Sequence, residues 1–276
     1  MKVEGLWRYP VKSMAGEPLS SAYVGTRGIP GDRGWAVFDE TRGGVTGAKR
    51  IPALRAGKPR YLREPVAGGP SPPVEIALPN GRTVRGEDAS AGLSAWLGRP
   101  VSLVGLDGSD VAAPRLTLQG ESEEFVRAAM GLVEGEPDAD LSALPPERLQ
   151  VLRRGNFFDA LPIHLITRAT LRTLESLEPA ISWDPRRFRM NILVEGDGGA
   201  YPELAWVGRK VRVGEVVLDV DTECPRCAMV TQAVDEVPHD PRVMRTLVRE
   251  THHAAGIYAA VDTPGRVRVG DDVEVL

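Results

Sequence analysis

The sequence predicts an α+β, β-rich chain in three parts. An N-terminal β-barrel-like module spans residues 1–106, a linker or lid spans 107–150, and a mixed β-barrel domain with peripheral helices spans 151–276. Three observations carry that prediction. Short alternating apolar runs separated by Gly/Pro turns recur at both ends of the chain, and few segments keep helical spacing. Between 107 and 150 the composition turns acidic and proline-bearing. The balance of 42% apolar and 26% charged residues is that of a soluble globular chain, long enough for one large or two ordinary cores.

Taken in order, Lys2 to Arg8 alternates as a strand and stops at Tyr9-Pro10, and Val11 to Glu17 is a polar turn. Ala22 to Val24 is a second strand. The glycine-rich Gly28 to Gly34 leads into a third, Trp35 to Phe38. Residues 51–73, rich in proline and glycine, read as irregular. Val74 to Leu78 and Arg82 to Val84 flank Asn80-Gly81, a hairpin signal. Asp88 is expected to cap a short helix that ends at Leu97 and is closed by Gly98, with a strand from Val101 to Leu106 behind it. Glu121 to Val133 has helical spacing through Phe125, Ala129 and Leu132.

The second module opens with the apolar run Phe157 to Ile166, after which Thr167 is expected to cap a helix carrying Leu171, Leu174 and Leu177 on one stripe. Asp184-Pro185 reads as a turn into a buried strand, Ile192 to Val194. Asp240-Pro241 starts a helix running to about His252. Gly256 to Leu276 returns to β, with Pro264-Gly265 as a hairpin tip.

Composition narrows the function classes. A formal net charge of -4 argues against a nucleic-acid or anionic-membrane binder. No run of 18 apolar residues exists, so no membrane span is expected. The start of the chain lacks the apolar h-region of an export signal. With two cysteines in the whole sequence, the reducing cytoplasm is the expected compartment.

Those two cysteines, Cys224 and Cys227, are spaced C-P-R-C between apolar runs that read as β on both sides. Pro225 cannot donate to a sheet ladder and places them on a bend between strands. Arg226 between them favours thiolate over thiol. Four readings stand. The pair are small buried hydrophobes, half of a structural zinc site, or a thioredoxin-type redox pair. Or one of them is a thiolate ligand to a metal carried by an organic cofactor. Zinc lacks two further ligands at suitable spacing, and the redox pair lacks its helix.

The polar residues decide. Tyr9-Pro10-Val11-Lys12-Ser13, Gly31-Asp32-Arg33, Phe158-Asp159 with Pro162, Phe188-Arg189 with Asn191, Glu203 with Trp206, and Cys224 with Arg226-Cys227 follow one another along the chain. Their order resembles the MOSC proteins (molybdenum cofactor sulfurase C-terminal domain) that also carry the MOSC N-terminal β-barrel module. Within that superfamily the chain is most similar to the mitochondrial amidoxime-reducing component and its bacterial relatives.

The resemblance implies a molybdenum cofactor, Mo-molybdopterin, whose metal is ligated by the second cysteine of the motif, Cys227. It assigns contacts to the pterin and its phosphate to Lys12, Ser13, Arg33, Arg189 and Asn191, with Arg226 beside the thiolate and Asp159 holding a turn near the metal. It further implies a small-molecule N-hydroxylated substrate and an external flavoprotein or iron–sulfur protein as electron donor, because no cysteine follows Cys227 to bind a cluster. The pyridoxal-phosphate-binding desulfurase domain of full-length sulfurases has no counterpart here. A sulfur-carrier or cofactor-maturation role, with a persulfide on Cys227, is the alternative. Leu161 and Met190 depart from the pattern of the eukaryotic reducers. His164, in an apolar stretch, is expected to be a core histidine, Trp206 to be packing, and His252 and His253 to complement a helix dipole.

Overall fold

The computed structural model describes residues 1–108, 114–137, 156–196 and 198–276. The first half of the chain forms β1 (Lys2–Arg8), β2 (Glu17–Leu19), β3 (Ser21–Val24), β4 (Trp35–Asp39), β5 (Gly44–Val45), β6 (Lys58–Tyr61), β7 (Val74–Ala77) and β8 (Thr83–Arg85), then helix α1 (Asp88–Leu97) and β9 (Val101–Gly105). The second half forms α2 (Glu123–Met130), β10 (Ile163–Thr167), α3 (Arg168–Leu177), β11 (Ile192–Glu195), β12 (Lys210–Val213), β13 (Val216–Pro225), α4 (Arg242–Thr251), β14 (Ala254–Thr263), β15 (Gly265–Arg268) and β16 (Val273–Val275). Among the described residues no helix is long and apolar enough to cross a membrane.

The largest sheet has the order β16-β12-β13-β14-β10-β11-β1-β2. It curls until its ends meet: Val273 N donates to Met1 O at 2.9 Å, and Lys2 bridges Asp272. Curling removes exposed strand edges. β1 therefore lies in this barrel, antiparallel to β11 with Leu6 opposite Ile192, and β3 pairs with β15. Val3, Leu6 and Val24 share the barrel core with Ile163, Leu165, Leu218 and Ile257. A second core (Val37, Leu54, Ile76, Leu93) lies between the small sheets β5-β4-β9 and β6-β7-β8 and helix α1. A third, with Leu174, Phe188 and Leu247, joins α3 and α4 to the barrel.

Local signals place most elements. Thr167 Oγ1 accepts from Thr170 N at 3.2 Å and caps α3, while Asp240 Oδ1 accepts from Arg242 N at 3.0 Å ahead of α4. Leu171 and Leu174 are buried, but Leu177, in the last turn, is 44% exposed. Asp88 sits in the first turn of α1; the capping position falls to Glu87, whose side chain makes no cap bond.

Three expectations are corrected. Residues 51–73 are not wholly irregular, because a 3-10 turn at Pro52–Ala56 and β6 lie inside them. β6 is an edge strand, where Pro59 is tolerated and the charged Lys58 and Arg60 face outward. Pro264-Gly265 is no hairpin tip, since β14 pairs with β13 and β10 while β15 pairs with β3. The chain changes partners there, and Gly265 passes so close to Glu215 that a Cβ would lie 2.7 Å from that side chain. Downstream of the cysteines stands a 3-10 turn, Ala228–Thr231, not a strand: Pro225 ends β13, and Val230 N then donates to Cys227 O at 3.1 Å. The remainder of the expected linker beyond 137 lies outside the described residues.

Candidate functional site

The chain leaves β1 at Arg8 and crosses to the second core, where Lys12 N donates to Trp35 O at 2.8 Å. That crossing puts Lys12 opposite residues 145 or more positions away and Ser13 against a loop 35 positions away. Lys12 Nζ donates to Phe157 O at 3.0 Å and pairs with Asp159. Ser13 Oγ accepts from Ala48 N at 3.0 Å, and a Cβ on Gly47 would fall 2.9 Å from that oxygen, so the segment needs glycine there. Lys12, Ser13, Arg33, Asp159, Arg189, Asn191, Arg226 and Cys227 all line one pocket of about 90 Å³. A larger pocket of about 410 Å³ lies elsewhere, walled mainly by the glycine-rich turns of residues 25–34 and 65–71.

Electrostatics single out the cysteine pocket. The face of Tyr9 is covered by two guanidinium groups, Arg33 at 4.4 Å and Arg189 at 4.3 Å from the ring centroid. Asp32 pairs with Arg33 and also accepts from Tyr9 N at 2.8 Å. Arg189 is 8% exposed and donates to Met14 O, with no carboxylate in ion-pair range among the described residues. Burial, then the nearby Arg55 and Arg33, push its guanidinium well below the usual arginine range. Burial also pulls Arg55 down to about 10, and its Nε has no partner. Of these three cations only Arg33 has a carboxylate in ion-pair range among the described residues, Asp32, and buried charge of this kind calls for a counter-ion. Backbone strain gathers at the same place. Ser13, Arg33 and Arg189 hold φ of 69°, 49° and 56°, a left-handed region that costs a non-glycine residue about 1–2 kcal/mol.

The cysteine arm divides into a buried and an accessible thiol. Cys224, inside β13, has no exposure, and Arg226 Nη1 donates to its Sγ at 2.6 Å. Arg226 Nη2 donates to Phe188 O at 2.5 Å. The guanidinium expected to act beside the second thiol is therefore engaged with the first and with backbone. Burial pushes the Cys224 thiol up, and the opposing pull of Arg226 is smaller. Cys227 follows the strand end and lines the pocket, half-buried. Among the described residues no group of three or more His, Cys, Asp or Glu side chains is placed to hold a metal ion.

Asn191 is 1% exposed and its side chain is fully engaged. Nδ2 donates to Trp7 O at 3.2 Å and Asp32 Oδ2 at 3.1 Å, and Oδ1 accepts from His164 N at 3.2 Å and Arg33 Nη1 at 3.4 Å. Asp159 pairs with Lys12 instead of bracing a turn. Its surroundings push its carboxyl up, but Lys12 and Lys49 overcome this and hold it below the ordinary carboxylate range. His164 is a core histidine, 3% exposed, with Nε2 3.3 Å from Ala255 O. Trp206 packs in the barrel core. His252 ends α4 in a left-handed conformation, and His253 is buried against Pro137 O.

Two residues of the pocket carried no sequence signal, Tyr258 in the alternation of β14 and Met229 beyond the cysteines. Nor did Arg55, whose charge acts on Arg189, in its Pro/Gly-rich stretch. Glu203, unexposed, accepts from Thr167 Oγ1 at 2.6 Å and Thr170 Oγ1 at 2.7 Å and so anchors the start of α3.

Comparison with known proteins matches two family models to this architecture: the MOSC N-terminal beta barrel domain over residues 1–90 and the MOSC domain over residues 153–274. The chain is a MOSC domain protein with the MOSC N-terminal module. It is 25% identical to mitochondrial amidoxime-reducing component 1 of Mus musculus, over 99% of this chain and 82% of that protein. Mitochondrial amidoxime reducing component 2 of Homo sapiens is 26% identical over 98% and 82% respectively. The molybdenum cofactor sulfurase of Drosophila mojavensis is 23% identical over 87% of this chain, a stretch that makes up 29% of that protein. Among solved structures, the YUAD protein of Bacillus subtilis aligns over 99% of this chain and 94% of its own at a TM-score of 0.45 and 15% identity.

These relatives link the MOSC family to the molybdenum cofactor. In this MOSC protein the donor set suits such a group: a half-buried soft thiol lies in the same pocket as the guanidinium groups of Arg33 and Arg189, the second without a carboxylate partner among the described residues, and guanidinium suits a pterin phosphate in charge.

Proposed function

We propose that this MOSC protein binds a pterin-based molybdenum cofactor and reduces N-hydroxylated compounds with electrons delivered by a separate flavoprotein or iron–sulfur protein. The observation that carries the reading is the surplus of buried cations around Tyr9, in the pocket that Cys227 lines. When bound, the molybdenum centre supplies two-electron oxygen transfer. Overall, the N–O bond of the substrate breaks, two electrons and two protons enter, and the oxygen leaves as water.

The chain's own residues hold and orient. Cys227 Sγ is the protein's ligand to the metal. Arg33, Arg189, Lys12 and Ser13 surround the anionic end of the cofactor, each held by its own contacts to Asp32, Met14 O, Asp159 and Ala48 N. Asn191 and Arg226 act one step back as positioning residues, because their hydrogen bonds are already made within the protein. At the pocket wall Asp159 stays ionised and keeps Lys12 Nζ aimed inward. Burial lowers the pKa of Lys12, against the opposing pull of Asp159.

The likeness to the sulfurases favours one second reading, in which Cys227 carries a persulfide. The test is molybdenum and pterin analysis of wild type, Cys227→Ala and Arg189→Met purified from a cofactor-competent host. Near-stoichiometric molybdenum in the wild type, metal lost with pterin kept in Cys227→Ala, and both lost in Arg189→Met support the proposal. Wild type free of both, with a mass shift of one sulfur on Cys227, supports the persulfide.

A further inference from the structure

Tyr9 is 3% exposed and is not part of the cysteine pocket's lining. Its polar groups are all spent on the two arginine turns of the site. Its N–H donates to Asp32 Oδ1 at 2.8 Å, its carbonyl accepts from Arg33 N at 2.6 Å, and its hydroxyl donates to Met190 O at 2.9 Å. The first two bonds fix the turn that carries Arg33, and the third fixes the one that carries Arg189. Those turns are 156 positions apart in the chain. Both arginines hold left-handed backbone, which surrounding contacts must maintain. Glycine at position 16 makes room for the ring, since a Cβ there would lie 2.5 Å from Tyr9 Cε1.

The ring does for the side chains what the polar groups do for the backbone. Both guanidinium groups lie within 4.4 Å of its centroid, so two like charges share one electron-rich surface. Arg33 is held further by Asp32, and its Nη2 donates to Arg189 O at 3.1 Å. Arg189 has less: Nη1 donates to Met14 O, and the ring of Tyr9 supplies its other contact. Neither of its remaining guanidinium nitrogens is a fully enclosed atom, and Arg189 lines the pocket, so an anion there can reach them.

We propose that Tyr9 is a positioning residue for anion binding. Its ring and hydroxyl hold the guanidinium groups of Arg33 and Arg189 in a preset geometry, so that a phosphate entering the pocket finds both already aligned. Fixing them beforehand raises affinity, because the cost of ordering two long side chains does not fall on the binding step. That the phosphate belongs to the cofactor rests on the function proposed above; the role of Tyr9 rests on its own contacts.

The test is calorimetric titration of the full chain, made without cofactor, with inorganic phosphate as the probe. Binding should be lost in Arg189→Met, which locates it at this pocket. Tyr9→Leu should weaken it about tenfold, the order expected when two guanidinium groups lose a cation–π contact. Tyr9→Phe keeps the ring and should stay within about threefold of wild type. Replacing a buried ring by leucine also risks misfolding, so a second series places phenylalanines with one, two or three ring fluorines at position 9. Fluorine draws charge from the ring face and leaves its shape nearly unchanged, and affinity should fall stepwise along the series. Affinity that stays flat or rises along it overturns the proposal, even where Tm falls, because Tyr9 would then serve packing alone. Phosphate binding that survives in Arg189→Met, or is absent from wild type, overturns it too. Molybdenum and pterin content of wild type from a cofactor-competent host decides the cofactor separately. Protein that lacks both there, yet binds phosphate in this pattern, sinks the function proposed above and leaves Tyr9 in its role.

Discussion

Asn191 offers the sharpest test of how the site is held. Replacing it with alanine removes four side-chain hydrogen bonds and leaves the buried His164 N–H and Trp7 carbonyl without that partner. At about 1 kcal/mol per bond, and more where a buried group stays unsatisfied, the loss should reach roughly 2–5 kcal/mol. That is a large fraction of the total stability of an ordinary domain, and for a chain of this size it corresponds to a fall in Tm of roughly 5–15 °C. Asn191→Asp is nearly isosteric but cannot donate, and it sets a second carboxylate about 3.1 Å from Asp32 Oδ2. Like charges at that distance disfavour ionising both carboxyls, so the penalty should be larger at neutral pH than in acid, where one of them is protonated. Thermal and denaturant unfolding of both variants read these effects. If Asn191→Ala melts within about 1 °C of wild type but loses its pterin, Asn191 is a direct ligand and the reasoning from its satisfied hydrogen bonds is wrong.

The two thiols should separate by access. In cofactor-free native protein a thiol reagent should modify Cys227 and spare Cys224 until denaturant is added, and Cys227→Ala should abolish the native reaction; modification of both without unfolding refutes the buried assignment of Cys224. His164 gives a pH signature. Burial, then Arg226, hold its folded pKa well below the ordinary value, so as pH falls below about 6.5 the unfolded chain binds a proton that the folded chain does not. Wild-type stability therefore drops as pH falls from 7 to 5.5. His164→Asn should flatten that drop by about 1 kcal/mol; an unchanged slope would mean the folded imidazole titrates normally.

Where sequence sufficed, the causes were local. A hydroxyl at Thr167, an Asn80-Gly81 pair, or a run that alternates from Lys2 to Arg8 acts through neighbours a few residues away. The candidate site was legible as a set of positions, since all eight expected residues line one pocket. What each does there was not. Arg226 serves Cys224, two residues back, because in extended backbone alternate side chains share a face, whereas the motif only showed it between two thiols. Asn191 is consumed by partners 27 to 184 residues distant, which spacing cannot reveal. Arg55 becomes notable only once folding brings Arg33 and Arg189 beside it. β6 was masked by the same charges and proline that suit an edge, and Pro264-Gly265 announced a change of direction without naming the next partner.

The placement of β1 in the barrel has a consequence for how the protein is made. Its hydrogen-bonded neighbour β11 begins at Ile192, so on a ribosome adding about 5–20 residues per second the first strand is without that partner for roughly 10–40 s. Throughout that interval its apolar face, with Val3 and Leu6, has no barrel to enter. The border drawn by the family models between the two modules is thus not one the nascent chain can use: a fragment ending after β9 would carry two strands, β1 and β3, whose main partners had not been synthesised, and one starting at β10 would lack β1 and β2 from its sheet. Residues 31–276 made alone should fail to fold, and co-expressing residues 1–30, which carry β1, β2 and β3, should rescue them in the manner of donor-strand complementation.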